Sequence, residues 1–509
     1  MKSNMRLTEK ARKLKILLLE PLSSAQSSWG SIRSLEGHLP PVGVISIYNW
    51  LKYRGYNVDF LDTQFGDFSP DSLKQYLKEK EYDVVGISVY TPTADYSFKT
   101  AKLVREALPA CKIVMGNIHV TVLPELSMRQ CPELDFIVRN EGEYVMDAFL
   151  SELAGGRKDW SRINGLVWRD GDRVVINPPG RFIEELDKLP VGFYGDLDLK
   201  RYIPHMTQYV VLPSYSIMTQ RGCPFGCTYC GAAKILGKKA RFYSPKRIVE
   251  ELKILKFEKK ARGVYFQDST FTANRAFTIE LMQLMIEANL GLRWSCNTRA
   301  DCVDPELLSL MYKAGGRQIA IGVESGNQDS LNAIKKNTTL EKQERGVEWV
   351  REAGFRCINS FIICLPNETE DMVRNTINFA KKLKAPIAVF WFPVPYPGTE
   401  LHETCKADGG LRHVEGWNDY LALNFDNPIY VNPNFGVERM RYWHKRANFE
   451  YYFSPVIWWE NIKRMHTPED IRRLAQGGSV LLDMFVNIIL RLSARLRGAL
   501  SGKPTSAGK

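Results

Sequence analysis

The 509-residue chain has the 44% hydrophobic content of an ordinary globular protein, so two or three domains are expected. No apolar run reaches transmembrane length and no internal repeat occurs, which excludes a helical membrane protein and a repeat architecture. A net charge of +12 suits an anionic substrate or an anionic membrane surface, and a solvated basic face has the same composition. Ten cysteines stand without disulfide-like pairing and no secretory leader is read, so a reducing, cytoplasmic location is expected.

Residues 13–155 read as an α/β domain. Leu14–Glu20 is a short apolar run with the pattern of a buried strand, and Val42–Arg54 is a helix closed by Gly55. Asn57–Asp62 is the second strand, and Ser69-Pro70-Asp71 opens a helix to about Lys80. Asp83–Tyr90 and Asp95–Leu108 follow as strand and helix, then Lys112–Gly116 and Phe136–Arg139 as strands. Alternating strands and helices predict a parallel, flavodoxin-like or Rossmann-like sheet with helices on both faces. Ligands of such sheets lie beyond the carboxyl ends of the strands. Those ends are Pro21–Ser28, Asp62–Gly66, Tyr90–Thr93, Gly116–Thr121 and Asn140–Glu143. No G-x-G-x-x-G follows the first strand, so a dinucleotide is not expected.

Residues 156–206 read as a connector without chemistry of its own. It carries a hairpin, Leu166–Arg169 and Arg173–Ile176, around Asp170-Gly171-Asp172.

Strand and helix alternate again over residues 207–403. Tyr215-Ser216-Ile217-Met218-Thr219 is the first strand, followed by Gly263–Asp268, Leu292–Thr298, Gln318–Glu324, Cys357–Leu365 and Ile387–Phe392. Six strand–helix units predict a partial (β/α)6 barrel of the TIM type, whose functional side chains sit at strand carboxyl ends. Candidates there are Asp268, Asn297, Arg299, Glu324, Ser325, Pro366 and Tyr396. Asp268 either caps the helix after Asn274 or lines the cavity.

The chemistry is concentrated after the first barrel strand, where Cys223, Cys227 and Cys230 stand at C-x3-C-x2-C spacing. A four-iron cluster takes four thiolates, so three from one loop leave one iron free for a small molecule. The alternatives are a zinc site or three unrelated buried thiols. Zinc wants a second ligand pair nearby, and the next cysteine is Cys296.

These cysteines, with Tyr229 in the aromatic place and Arg221-Gly222 before them, resemble the radical S-adenosylmethionine (SAM) signature. Upstream, Leu39-Pro40-Pro41-Val42-Gly43, Gly116-Asn117-Ile118-His119-Val120-Thr121 and Asn140-Glu141-Gly142-Glu143 resemble a cobalamin-binding domain. Downstream, Phe361–Thr369 resembles F-I-x-G-x-P-G-E-T, and Pro393–Leu401 contains P-Y-P-G-T-x-L. Asn117, Cys364 and Asn367 stand where this pattern usually has Gly. Together these segments resemble the cobalamin-binding radical SAM enzymes of the class B methyltransferase type, a family that includes the anaerobic Mg-protoporphyrin monomethyl ester cyclase. The resemblance spans Lys13 to Glu403.

It implies a [4Fe-4S] cluster on Cys223, Cys227 and Cys230, with SAM chelated to the open iron and cleaved to a hydrogen-abstracting radical. It implies SAM contacts from Tyr229, Asn297, Arg299 and Glu324, where Glu324 would accept from ribose hydroxyls. Arg299 would either pair with the SAM carboxylate or with Asp301. Gly116, Asn117, His119 and Glu141 are the implied cobalamin contacts. No D-x-H occurs, so neither His119 nor His38 is read as a cobalt ligand, and His119 is a polar contact or helix-start residue. Tyr396 reaches the cavity as a candidate catalytic group.

Residues 404–509 read as a mainly helical part that caps the substrate. Trp417, Tyr420, Tyr442, Trp443, Tyr451, Tyr452, Phe453, Trp458 and Trp459 cluster there. The basic segments Ile471–Leu474 and Arg491–Arg497 flank the apolar Val480–Leu490, which suits either an interfacial helix at the inner face of a membrane or a helix packed on the barrel.

The expected activity is cobalamin-dependent C-methylation of an unactivated carbon in a large hydrophobic or anionic ring-type substrate, a tetrapyrrole or polycyclic lipid. An electron donor such as flavodoxin or ferredoxin is implied, and nucleic acid is not. Oxidative cyclisation with the same cofactors is the alternative. A non-catalytic corrinoid carrier would not need the cysteine triad.

Overall fold

In the computed structural model, which describes residues 7–23, 37–156, 159–192, 194–195 and 197–463, the first sheet begins with β1 (Lys15–Glu20). It continues through β2 (Asn57–Asp62), β3 (Val84–Ser88), β4 (Lys112–Gly116) and β5 (Phe136–Val138). These five strands are parallel in the order β2-β1-β3-β4-β5, a flavodoxin-like winding. Short apolar strands suit this place, because helices bury both faces. Leu17, Leu19, Val85, Ile87, Ile113 and Met115 face one core, and Ile16, Leu18, Val84 and Val114 the other. The flanking helices end where their sequence dictates. Gly55 takes the left-handed conformation after Val42–Arg54, and the Ser69 hydroxyl accepts from the Ser72 amide to start Pro70–Lys80.

The hairpin β6 (Leu166–Asp170) and β7 (Arg173–Ile176) belongs to this sheet rather than to a linker. β6 pairs antiparallel with β5 and extends the order to seven strands. The physical reason is edge protection: β5 would otherwise present unpaired backbone groups to solvent.

The second sheet starts with β8 (Ser214–Ile217). A two-residue antiparallel pair, β9 (Gln220–Arg221) and β10 (Arg241–Phe242), follows. Then come β11 (Gly263–Phe266), β12 (Arg293–Thr298), β13 (Gly316–Glu324), β14 (Arg356–Ile362) and β15 (Ile387–Trp391). β8 and β11–β15 are all parallel and lie in sequence order, so the sheet is an open six-stranded partial barrel. Side-chain caps from Asn274, Asp304, Thr339, Thr369 and Thr399 fix the helix starts between strands.

Among the described C-terminal aromatics, Trp417, Tyr420, Trp443 and Tyr451 are buried in the two cores, whereas Tyr442, Phe453, Trp458 and Trp459 are exposed. Trp443 and Tyr451, on the helix Gly436–Tyr452, are buried in the barrel core, and the Tyr452 hydroxyl donates to the Ala388 carbonyl on β15. Trp417 and Tyr420 are buried in a core of the first sheet instead, with the Trp417 amide bonded to Asp95. Their apolar area is spent on closing the two folds. The segments Ile471–Leu474, Val480–Leu490 and Arg491–Arg497 lie outside the described residues, as does Ser24–Ser28 after β1. Among the described residues no helix is long and apolar enough to cross a membrane.

A buried ionic network joins the two sheets. The Glu141 carboxylate takes a fork from Arg241, 2.8 and 2.9 Å, a bond from Arg221 at 3.3 Å and the Ile183 amide at 2.6 Å. Arg221 also donates to Glu143 at 2.7 Å and to the Ser46 hydroxyl at 2.8 Å. Two cations and two anions, all buried, are satisfied only when the sheets are docked. Replacing Glu141 by Ala leaves buried guanidinium groups short of a partner, at a cost of about 3–5 kcal/mol. Calorimetry of Glu141→Ala is expected to show a separate early unfolding transition. A single transition at the wild-type midpoint would contradict this.

Candidate functional site

The cysteine loop leaves the barrel between β9 and β10, which act as a two-residue clasp. Gly222 has φ +93° and a Cβ there would stand 2.2 Å from the Lys239 carbonyl oxygen, so only glycine fits before Cys223. The loop is then pinned by backbone bonds, Cys223 amide to Gly237 at 3.1 Å, Thr228 to Ile334 at 3.0 Å and Cys230 to Cys227 at 3.2 Å. Cys223 and Cys227 are half-buried and Cys230 is exposed. Cys223, Cys227 and Cys230 all come from this one pinned loop, and a four-iron cluster takes one thiolate per iron, so the three supply the donor type and number for a cluster with one iron left open.

Asp268 is the anchor of this loop, neither helix cap nor cavity wall. At the end of β11 it accepts from the Thr219 amide (2.8 Å), the Thr219 hydroxyl (2.8 Å) and the Gln220 amide (3.1 Å). Burial outweighs these bonds and pushes its carboxyl up to about 7.

Tyr229, Glu324 and Lys336 meet beside the loop. The Tyr229 hydroxyl donates to Glu324 Oε1 at 2.8 Å, and Lys336 Nζ reaches the same oxygen at 2.8 Å. Lys336 is buried and sequence reasoning missed it; it stands in the loop after the short helix Gln328–Ala333 that follows β13, where no motif marks it. Glu324 holds φ +70°, an uncommon backbone state for a non-glycine residue.

Of the two partners expected for Arg299, the structure forms the pair with Asp301. The Nε–Nη2 edge of Arg299 is taken by Asp301, at 2.9 and 2.7 Å, and by the Lys336 carbonyl at 2.6 Å, so that edge is not free for a SAM carboxylate. Its remaining Nη1 stands 4.0 Å from Cys227 Sγ, and the guanidinium lies over the Phe225 ring. Asn297 donates to the Tyr265 hydroxyl at 2.6 Å, inside the barrel.

A cavity of about 800 Å³ separates the two sheets. One wall is the carboxyl edge of the first sheet: Glu20, Ser88, Gly116, Asn117 and Asn140. The other is built by Ile217, Met218, Gly231, Ala232, Lys234, Ile235, Leu236, Gln267 and Tyr396 of the barrel. Its size suits a bulky cofactor, and it reaches Gly231, the neighbour of Cys230. No histidine is in its described lining.

Gly116 and Asn117 line the cavity as expected. Asn117 has φ +85°, which explains the glycine usual at that place, and its side chain accepts from the Ile118 amide. Cys364 and Asn367 likewise have φ +62° and +65°. His119 is a correction: it turns away from the cavity, wholly buried, with its ring 4.4 Å from Trp417 and neither nitrogen hydrogen-bonded. Burial pushes it down to about 4, so it is a neutral core residue. Glu141 lines the cavity, but its oxygens are committed to Arg241, Arg221 and Ile183, so it docks the sheets rather than a ligand. Tyr396 does face the cavity, stacked on Tyr420, with no hydroxyl partner among the described residues, and burial pushes it up to about 12.

Residues 217–380 match the radical SAM superfamily and residues 29–150 the B12 binding domain. An uncharacterised methyltransferase of Pyrococcus horikoshii is 29% identical over 452 residues, covering 89% of this chain and 95% of that one. The anaerobic magnesium-protoporphyrin IX monomethyl ester cyclase of Rubrivivax gelatinosus is 30% identical, covering 78% of this chain and 70% of that one. Among solved structures, the radical SAM methyltransferase TsrM of Kitasatospora setae, with cobalamin and a [4Fe-4S] cluster bound, superposes with a TM-score of 0.67 at 17% identity, over 90% of each chain, and so shares the fold. The chain therefore belongs to the B12-binding radical SAM enzymes, the family of the cobalamin-dependent radical SAM methyltransferases, whose cofactors are a [4Fe-4S] cluster, SAM and cobalamin.

Proposed function

We propose that this enzyme C-methylates a large, hydrophobic or anionic ring-type substrate, a tetrapyrrole or polycyclic lipid. The observation that carries the reading is the single cavity shared by the first sheet's carboxyl edge and the loop after Cys230. Residues 13–155, with the hairpin 166–176 on the same sheet, form the corrinoid side. Residues 207–403 form the radical SAM side. When bound, the cluster, SAM and cobalamin supply the hydrogen-abstracting radical and the methyl group.

The chain's own residues do the rest. Cys223, Cys227 and Cys230 hold the cluster from a loop that Gly222 and Asp268 fix in place. Glu324, aligned by Tyr229 and Lys336, accepts from hydroxyl groups of SAM, because a carboxylate is an acceptor only. Asn297 and Tyr265 present neutral donors and acceptors to the barrel interior. Gly116 and Asn117 bring backbone close to the corrinoid. Tyr396 projects at the same cavity a hydroxyl that has no partner among the described residues, where it positions substrate or cofactor.

Support for the substrate class comes from relatives named as a bacteriochlorophyllide d C-12(1)-methyltransferase of Chlorobaculum tepidum, 24% identical, and a hopanoid C-3 methylase of Methylococcus capsulatus, 26% identical. The 30% identity to the R. gelatinosus cyclase favours a second reading, oxidative cyclisation with the same cofactors. A small acidic electron donor such as flavodoxin or ferredoxin fits the net charge of +12.

Anaerobic incubation of reconstituted protein with methyl-labelled SAM, cobalamin, reductant and a bacteriochlorophyll-type tetrapyrrole or a hopanoid separates the readings. Label in the product is expected. Deoxyadenosine with an unlabelled, oxidised product would favour cyclisation. Cys223→Ala is expected to lose SAM cleavage by at least a hundredfold, and normal cleavage would contradict the cluster assignment.

Peripheral membrane contact is supported by the helix Pro455–Ile462, whose Val456, Trp458, Trp459 and Ile462 are exposed beside Phe449 and Phe453. Co-sedimentation with phosphatidylglycerol vesicles is expected to fall severalfold in a Trp458→Ala/Trp459→Ala protein. Equal binding of the two proteins would contradict that contact.

A further inference from the structure

The order of the first sheet reverses between β1 and β3, and a crevice opens at such a switch point. Glu20 ends β1 at this crevice. It is in the cavity wall at 2% exposure. Among the described residues its Oε1 has no hydrogen-bond partner, Oε2 receives a long 3.4 Å contact from Gln64 Nε2, and the Ser88 hydroxyl beside the carboxyl partly favours its charged form. No part of the mechanism above uses this carboxyl.

The groups around Glu20 come from every neighbouring strand end. Asp62, its register partner on β2, accepts from the Tyr202 hydroxyl at 2.9 Å and the Gln64 amide at 3.1 Å. Ser88 and Tyr90 stand at the end of β3, and the Ser88 hydroxyl already receives Asn117 Nδ2 at 3.2 Å. His38 and Arg201 act on Asp62, and among the described residues no cation pairs with Glu20. Burial first, and the Asp62 charge second, push the Glu20 carboxyl up to about 8. At neutral pH it is therefore an uncharged acid, with one donor and one acceptor on the same group.

We propose that Glu20 is a binding residue for the corrinoid periphery, its carboxyl pairing face to face with one of the primary carboxamide arms of the ring. The O–H donates to the amide oxygen, and the carbonyl oxygen accepts from the amide nitrogen. An ionised carboxylate could only accept, and it would add a second charge beside Asp62. The inference rests on the corrinoid occupying the cavity between the sheets.

Equilibrium binding of methylcobalamin, which has no ionisable axial water, tests it on the cluster-loaded protein without substrate. Wild-type affinity is expected to be level from pH 6 to about 7.5 and to weaken toward tenfold per pH unit above about 8, because deprotonation removes the donor. Glu20→Ala is expected to bind about fivefold to tenfold more weakly at pH 7. Glu20→Gln keeps a donor and an acceptor, so it is expected to retain affinity and lose the pH dependence. Iron content and thermal midpoint of each variant report folding, and Glu20→Gln carries the test if the alanine variant misfolds. Unchanged affinity in Glu20→Ala, the same pH profile in Glu20→Gln, or affinity that rises through pH 8 would each overturn the role of Glu20 alone. Failure of the wild type to bind methylcobalamin at any pH would instead overturn the placement of the corrinoid, and this inference with it.

Discussion

Two arginines and two glutamates buried between the sheets govern the rest of the structure. Burial by itself would lower Arg221, yet the charges of Glu143, Tyr243 and Glu141 and the bond to Glu143 together outweigh it and hold the guanidinium well above its ordinary value. Burial likewise favours a neutral Glu143, and the Arg221 charge together with the bonds from Arg221 and Ser46 reverses that. Each charge is tolerable only in the presence of the others. Because Arg221 lies immediately before Gly222 and Cys223, the network fixes the cysteine loop relative to the first sheet as well as docking the sheets. Arg241 completes the clasp from the other end of the same loop, through the Leu236 and Ile183 carbonyls at 2.7 Å each.

That docking turns the carboxyl edges of two parallel sheets toward one chamber. Each edge is where its fold places ligands, so the strand ends of the first sheet and the cysteine loop of the barrel open onto a shared volume. The chamber is dominated by apolar and neutral groups near the cluster loop, including Ile217, Met218, Ile235 and Leu236, which suits radical chemistry that must exclude water. Burial pushes the cavity-wall acid Glu20 upward, so the chamber holds less negative charge than its sequence suggests.

Local signals in the chain gave the elements almost directly. β2, β4 and the helices Val42–Arg54 and Pro70–Lys80 follow from apolar runs bounded by Gly55, Ser69 and Pro70. The cysteine spacing and Gly222 were readable because a few adjacent residues define that turn. Asn117, Cys364 and Asn367, standing where glycine is usual, marked positions that the fold does hold at positive φ. What escaped reading depends on partners far away in sequence. Arg241 meets Glu141 across 100 residues, Trp417 meets Asp95 across 322, and Asp268 meets Thr219 across 49. No periodicity or short motif encodes such pairs. The same blindness assigned Glu141 and His119 to the cofactor by their place in a motif, while long-range packing gave one to an ion network and the other to the core.

The central claim is spatial: corrinoid and cluster share the chamber between the two sheets. Electron paramagnetic resonance of the protein loaded with both cob(II)alamin and the reduced cluster tests it most directly. Two unpaired spins in one chamber are expected to give a spectrum split and broadened by mutual coupling, which disappears when either group is omitted. A spectrum equal to the sum of the two separately loaded proteins would contradict the account.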